Sequence, residues 1–213
     1  MRVVRTWQHV RVREIETPSG VARAHLSAAS GRPAAGLAVL GHGAGGGIDA
    51  PDLLAVTAAL TDAGWTVARV EQPYRVKGRR APEAAPRLDA AWVTVVTALR
   101  RGRSGPLVLA GRSSGARVVC RTAATLGAKA VIALAFPLHP PGRPEKSRAE
   151  ELEALTALGV PVLVVQGDKD AFGTAAELPA GPTVVTVKGD HSLRQAPDEV
   201  AGAVVEWLPG IGV

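Results

Sequence analysis

The chemistry in this sequence gathers first around one serine. Gly111-Arg112-Ser113-Ser114-Gly115 follows the apolar run Leu107–Ala110 and opens a segment of helical period, 114–126. A chain that turns sharply from strand into helix strains the backbone of its apex residue, and glycines two positions to either side leave room for the turn. The spacing predicts that Ser113 presents its hydroxyl as a nucleophile. It also predicts that the N–H of Ser114, at the helix N-terminus, faces any negative charge that develops on a substrate oxygen. An ordinary strand-to-helix turn is the plainer reading, and Ser114 is the rival hydroxyl, without the symmetric glycines.

A serine hydroxyl at neutral pH needs a base, and the base needs an acid to orient it. After a turn of this kind the partners follow in the order serine, acid, histidine. His9, His25 and His42 precede Ser113, which leaves His139 and His191. His139 lies in a proline-rich stretch with no acidic residue at a strand end before it. His191 follows the last apolar run, Thr183–Val187, and is the better base. The acid belongs after the run beginning at Val160, which ends in Gly167-Asp168-Lys169-Asp170. Asp170 is favoured because it stands further into the loop and can reach a neighbouring one, with Asp168 as the alternative. Asp190 is merely adjacent to His191, and neighbouring side chains in an extended segment diverge.

The run Leu37–Leu40 leads into Gly41-His42-Gly43-Ala44-Gly45-Gly46-Gly47. Such a loop can aim backbone N–H groups, and Ala44, with Gly43 as rival, is the expected second donor of an oxyanion hole beside Ser114. A flexible glycine turn and a phosphate cradle are the competing readings, but the lysine and hydroxyl residue of a phosphate loop do not follow. His42 is expected to support this loop through hydrogen bonds and to take no part in proton transfer. Gly43, Arg112 and His139 are further candidates for contact with substrate. Arg112 and Arg194 could each meet an anionic group, although solvent is the simpler place for both.

These side chains need a scaffold that brings distant loops to one rim. The chain opens with two alternating stretches, His9–Glu16 and Val21–Ala28, around a Thr17-Pro18-Ser19-Gly20 turn, which reads as an antiparallel hairpin within residues 1–30. Beyond it, short apolar runs at 37–40, 65–70, 107–110, 130–136, 160–165 and 183–187 alternate with helical segments at 51–63, 82–101, 114–126, 148–158, 174–178 and 197–208. Strands apolar on both faces suit a parallel sheet covered on both sides. The expectation is one α/β domain over residues 1–213, a doubly wound, mostly parallel sheet that binds ligands beyond the carboxyl ends of its strands. Residues 137–158 would form a short lid-like insertion and leave the site open.

Composition excludes several alternatives. Of 213 residues 46% are apolar and 21% charged, too hydrophobic and too weakly charged for disorder. A single cysteine rules out an internal disulfide and any multi-cysteine metal site. The serine chemistry read above requires no metal and no organic cofactor, and none is expected. The first residues lack the apolar core of a signal peptide and no long apolar span follows, which points to the cytoplasm and away from a membrane. The net charge of +6 is spread over scattered arginines with few aromatics, a solvated surface and no nucleic-acid patch.

Taken in order, Gly41-His-Gly-Ala-Gly-Gly, Gly111-Arg-Ser-Ser-Gly, Phe136-Pro-Leu-His-Pro-Pro-Gly-Arg-Pro-Glu-Lys, Val165-Gln-Gly-Asp-Lys-Asp-Ala-Phe-Gly and Gly189-Asp-His-Ser-Leu resemble the α/β-hydrolase superfamily over about residues 35–208. Within it the chain is similar to the small dienelactone-hydrolase-like branch, which includes bacterial hydrolase-like proteins and vertebrate testis-expressed relatives. The resemblance implies Ser113, Asp170 and His191 as the triad of a serine hydrolase acting on a small ester or thioester. Dienelactone hydrolases proper carry a cysteine nucleophile, so their substrate does not carry over. A scaffold that retains the fold without the chemistry, and an acyltransferase, are the other functions the resemblance allows.

Overall fold

The structure is a computed structural model in which residues 10–31 and 34–212 are described. His9, expected to begin the first strand, lies outside them. Eight strands form a single sheet in the order β1-β2-β4-β3-β5-β6-β7-β8. They are β1 (Arg11–Thr17), β2 (Gly20–Ser27), β3 (Leu37–Gly41), β4 (Thr66–Glu71), β5 (Leu107–Arg112), β6 (Ala130–Leu134), β7 (Val162–Gly167) and β8 (Thr183–Val187). β1 and β2 form the expected antiparallel hairpin, β2 lies antiparallel to β4, and every pairing from β4 to β8 is parallel.

The inner strands are unbroken apolar runs because both of their faces are covered. Successive residues of β3 show it: Leu37 and Val39 point into a core shared with α3 (Ala85–Arg100), α4 (Ser114–Leu126) and α5 (Glu150–Ala157). Ala38 and Leu40 point into a second core built with α1 (Pro51–Asp62) and α6 (Pro197–Gly210). A short α2 (Pro73–Val76), not anticipated from the sequence, follows β4. Residues 137–158 contain a 3-10 turn, Pro144–Lys146, and α5. Leu152 and Leu155 of α5 are buried in the first core, so α5 belongs to the helical layer as the crossover between β6 and β7. No described helix is long and apolar enough to cross a membrane.

The chain changes direction in the middle of the sheet. β3 lies between β4 and β5, and the helices that follow β3 and β5 cover opposite faces. A crevice opens where neighbouring crossovers part in this way, at the carboxyl ends of the strands.

Candidate active site

Loops from four strand ends converge there. The loop after β3 supplies Gly41–Gly47, the turn after β5 supplies Ser113, the loop after β7 Asp170 and the loop after β8 His191. Ser113 stands between β5 and α4 with φ 54° and ψ −114°, a left-handed conformation that a side-chain-bearing residue rarely adopts. Its N–H donates to the Leu134 carbonyl at 2.9 Å, which anchors the turn to β6. The flanking glycines are required by contact: a Cβ on Gly111 would lie 2.3 Å from the Gly115 backbone, and one on Gly115 2.7 Å from the Gly41 carbonyl.

Ser113 Oγ lies 2.7 Å from His191 Nε2, and His191 Nδ1 lies 2.8 Å from Asp170 Oδ2. The carboxylate can only accept, so the proton sits on Nδ1, and Nε2 is left to accept from the serine hydroxyl. Asp170 is almost fully buried, and the Phe172 N–H and Gln166 Nε2 donate to it at 2.8 and 2.9 Å. Gln166, fully buried, also accepts from the Phe136 N–H at 3.0 Å and donates to the Gly173 carbonyl at 2.7 Å. The amide thus fixes the acid loop to the end of β6. Phe172 stacks on the His191 ring at 4.1 Å between centroids. The sequence alone singles out neither Gln166 nor Phe172: the first directly follows the apolar run 160–165 and the second is a lone aromatic in a loop.

Asp168 has a different task. Its Oδ1 accepts the Gly189 N–H at 2.8 Å and its own N–H donates to the Val187 carbonyl, so it ties the end of β7 to the end of β8. Asp190 accepts from the N–H and hydroxyl of Ser192, bonds that lower its pKa and turn the loop next to His191.

The glycine loop is held by hydrogen bonds, contrary to a flexible turn. His42 Nε2 accepts the Gln72 N–H at 3.1 Å, and Nδ1 then donates to the Gly43 carbonyl at 2.8 Å. Burial lowers the His42 pKa, in keeping with a neutral ring. Tyr74 donates its hydroxyl to the Ala44 carbonyl at 3.1 Å, and burial pushes its phenol up to about 12, so it remains a donor. Gln72 and Tyr74 belong to the α2 region, whose sequence signal is Pro73, two residues beyond the end of β4. Among the described residues no carbonyl accepts the N–H of Ala44 or Ser114.

Three sequence candidates take other places. His139 lies behind Phe172, donating its N–H to the Phe172 carbonyl at 3.0 Å. Its ring faces the Pro140 carbonyl and Glu177, contacts that raise its pKa. Gly43 packs against the elbow, where a Cβ would meet Arg112 Nη1 at 2.9 Å and Ser113 Cβ at 3.4 Å. Arg112 is not the surface arginine expected: its side chain is 13% exposed and pairs with the fully buried Asp52 at 3.1 Å. Arg194 is exposed at the rim of a cleft of about 290 Å³ that Gly46, Gly47, Arg112 and Ser192 also line. Among the described residues no group of three or more His, Cys, Asp or Glu side chains could hold a metal ion.

Comparisons with known proteins agree with this architecture. Among solved structures, an alpha-beta serine hydrolase homologue from Coxiella burnetii superposes with a TM-score of 0.79 at 18% identity, over 95% of this chain and 100% of that one. A serine hydrolase without lid from Xanthomonas campestris gives 0.71 at 23% identity, over 94% and 96%. A dienelactone hydrolase from Anabaena variabilis gives 0.73 at 18% identity, over 96% and 99%. Identities this low speak to the fold alone. No curated protein matches the sequence. The family model described as an alpha/beta hydrolase domain matches residues 34–201, most of the chain, and with the eight-stranded sheet this establishes that the protein belongs to the α/β-hydrolase family.

Proposed function

We propose that the protein is a serine hydrolase that cleaves a small ester or thioester through an acyl-enzyme. The observation that carries this reading is the unbroken chain from Ser113 Oγ through His191 to the buried Asp170, with links of 2.7 and 2.8 Å. Ser113 Oγ bonds to the substrate carbonyl carbon as its proton passes to His191 Nε2. Asp170 holds the imidazolium that results. The carbonyl oxygen, now negative, is received by the N–H groups of Ser114 and Ala44. Collapse breaks the ester or thioester bond, and the leaving alkoxide or thiolate takes the proton from His191. Water then gives a proton to His191 and attacks the acyl-enzyme, releasing the acid and restoring Ser113. No step calls on a metal or organic cofactor.

The segment between β6 and β7 holds only a 3-10 turn and α5, with no larger insertion over the strand ends, which supports a small acyl substrate over a long lipid chain. The test is a fluorophosphonate probe. The protein should be labelled covalently, and Ser113→Ala should abolish labelling while leaving the fold intact. Folded wild-type protein that takes no probe would overturn the reading in favour of a scaffold. Short-chain p-nitrophenyl esters and acyl-CoA thioesters, with products analysed in the presence of an alcohol acceptor, then distinguish ester from thioester and hydrolysis from acyl transfer.

A further inference from the structure

At the variable position of the serine turn stands a side chain that meets both the His191 loop and the glycine loop. Arg112 leaves the elbow towards the start of α1, where its Nε lies 3.1 Å from Asp52 Oδ2. The Asp52 side chain has no exposure at all, and neither of its oxygens has an aligned hydrogen bond among the described residues. The pair is therefore held by charge within the first turn of a helix, where the N-terminal dipole also favours an anion. Among the described residues the Arg112 side chain makes its one aligned bond elsewhere: Nη2 donates to the backbone carbonyl of His191 at 3.1 Å. The remaining nitrogen, Nη1, packs against the glycine loop so closely that a Cβ on Gly43 would fall 2.9 Å from it.

One planar guanidinium thus meets the carbonyl of the candidate base, the loop of the candidate oxyanion hole and a buried countercharge, while its own backbone adjoins Ser113. The His191 ring has Asp170 and Phe172 to hold it, but among the described residues Arg112 is the only side chain that hydrogen-bonds to the His191 carbonyl.

Resting on the hydrolase reading above, we propose that Arg112, locked by the buried Asp52, is a positioning residue that sets the His191 loop and the Gly43 loop against Ser113. Lysine cannot substitute for it, since an ammonium is a point charge without the planar fork that serves Asp52 and the His191 carbonyl together. A misplacement of about 1 Å in such a site costs on the order of 100-fold in rate. A residue that bound substrate would act on KM, whereas a positioning residue acts on kcat.

The experiment measures fluorophosphonate labelling, and ester turnover where present, in the full chain, beside its thermal midpoint. Arg112→Lys should label about 10- to 100-fold more slowly, with the loss in kcat and KM little changed. Arg112→Ala should regain part of its rate from millimolar guanidinium ion, and urea at the same concentration should have no such effect. Because Arg112→Ala leaves Asp52 buried without a partner, the double variant Asp52→Asn/Arg112→Gln removes both charges and should remain folded but slow. Folded Arg112→Lys and double variants that label within twofold of wild type overturn the inference and leave the hydrolase reading standing. A rate loss that only follows the folded fraction, without rescue by guanidinium, or one confined to KM, also overturns it. Wild-type protein that takes no probe overturns the hydrolase reading and this inference with it.

Discussion

Two aspartates separated by one residue illustrate how finely roles divide at the scale of single side chains. Asp170 faces His191 and Asp168 faces the Gly189 N–H, and the turn at Gly167 makes the difference. That glycine cannot carry a Cβ, which would lie 2.5 Å from the Gly189 carbonyl. On the proposed mechanism, Asp170→Asn should lower the labelling rate of Ser113 by about 1,000- to 10,000-fold, because the amide no longer stabilises the imidazolium or fixes its tautomer. Asp168→Asn should keep most of the rate, since an amide oxygen still accepts the Gly189 N–H. Equal losses in the two variants would show that the acid has been misassigned. The sequence favoured Asp170 through its distance from the strand end. It could not show Gln166 as the residue that holds Asp170, because the partners of a buried amide come from segments far apart in the chain.

Elements were legible to the extent that their surroundings are uniform. Strand β8 and helix α4 span the residues read from the sequence, 183–187 and 114–126, since an apolar run between breakers and a glycine at the helix end mark them locally. Helix α2 and its Tyr74 were not legible, because four residues are too few to establish a period. The contact between elements at the elbow gives a prediction of its own. In Gly115→Ala the new methyl would meet the Gly41 and His42 carbonyls at 2.7 and 2.8 Å, and both belong to backbone that cannot easily retreat. The variant should lose about 1–3 kcal/mol of stability in urea unfolding. It should also label more slowly than wild type, since relief of the clash must push the glycine loop away from α4.

For the whole molecule, the sheet order lay beyond the sequence: β4 sits between β2 and β3, an arrangement decided by which faces pack and not by any local signal. The same long-range packing encloses His42 and gives global stability a pH dependence. Burial depresses the folded His42 pKa, whereas the unfolded chain titrates near the ordinary value of about 6.5. As pH falls through that value the unfolded state takes up a proton that the folded ring refuses. Stability therefore declines until the folded pKa is passed. Between pH 7.5 and 5.5 the urea midpoint of wild type should drop more than that of His42→Gln, whose amide can make both hydrogen bonds without titrating.

The left-handed backbone at Ser113 carries a consequence for the molecule as a working object. Nothing local prefers that conformation; β5, α4 and the Gly41 backbone impose it together from three sides. On the proposed mechanism, mild heat or denaturant that eases those neighbours should let the backbone relax and carry the hydroxyl out of line, so probe labelling should fade while far-UV circular dichroism still reports most of the architecture.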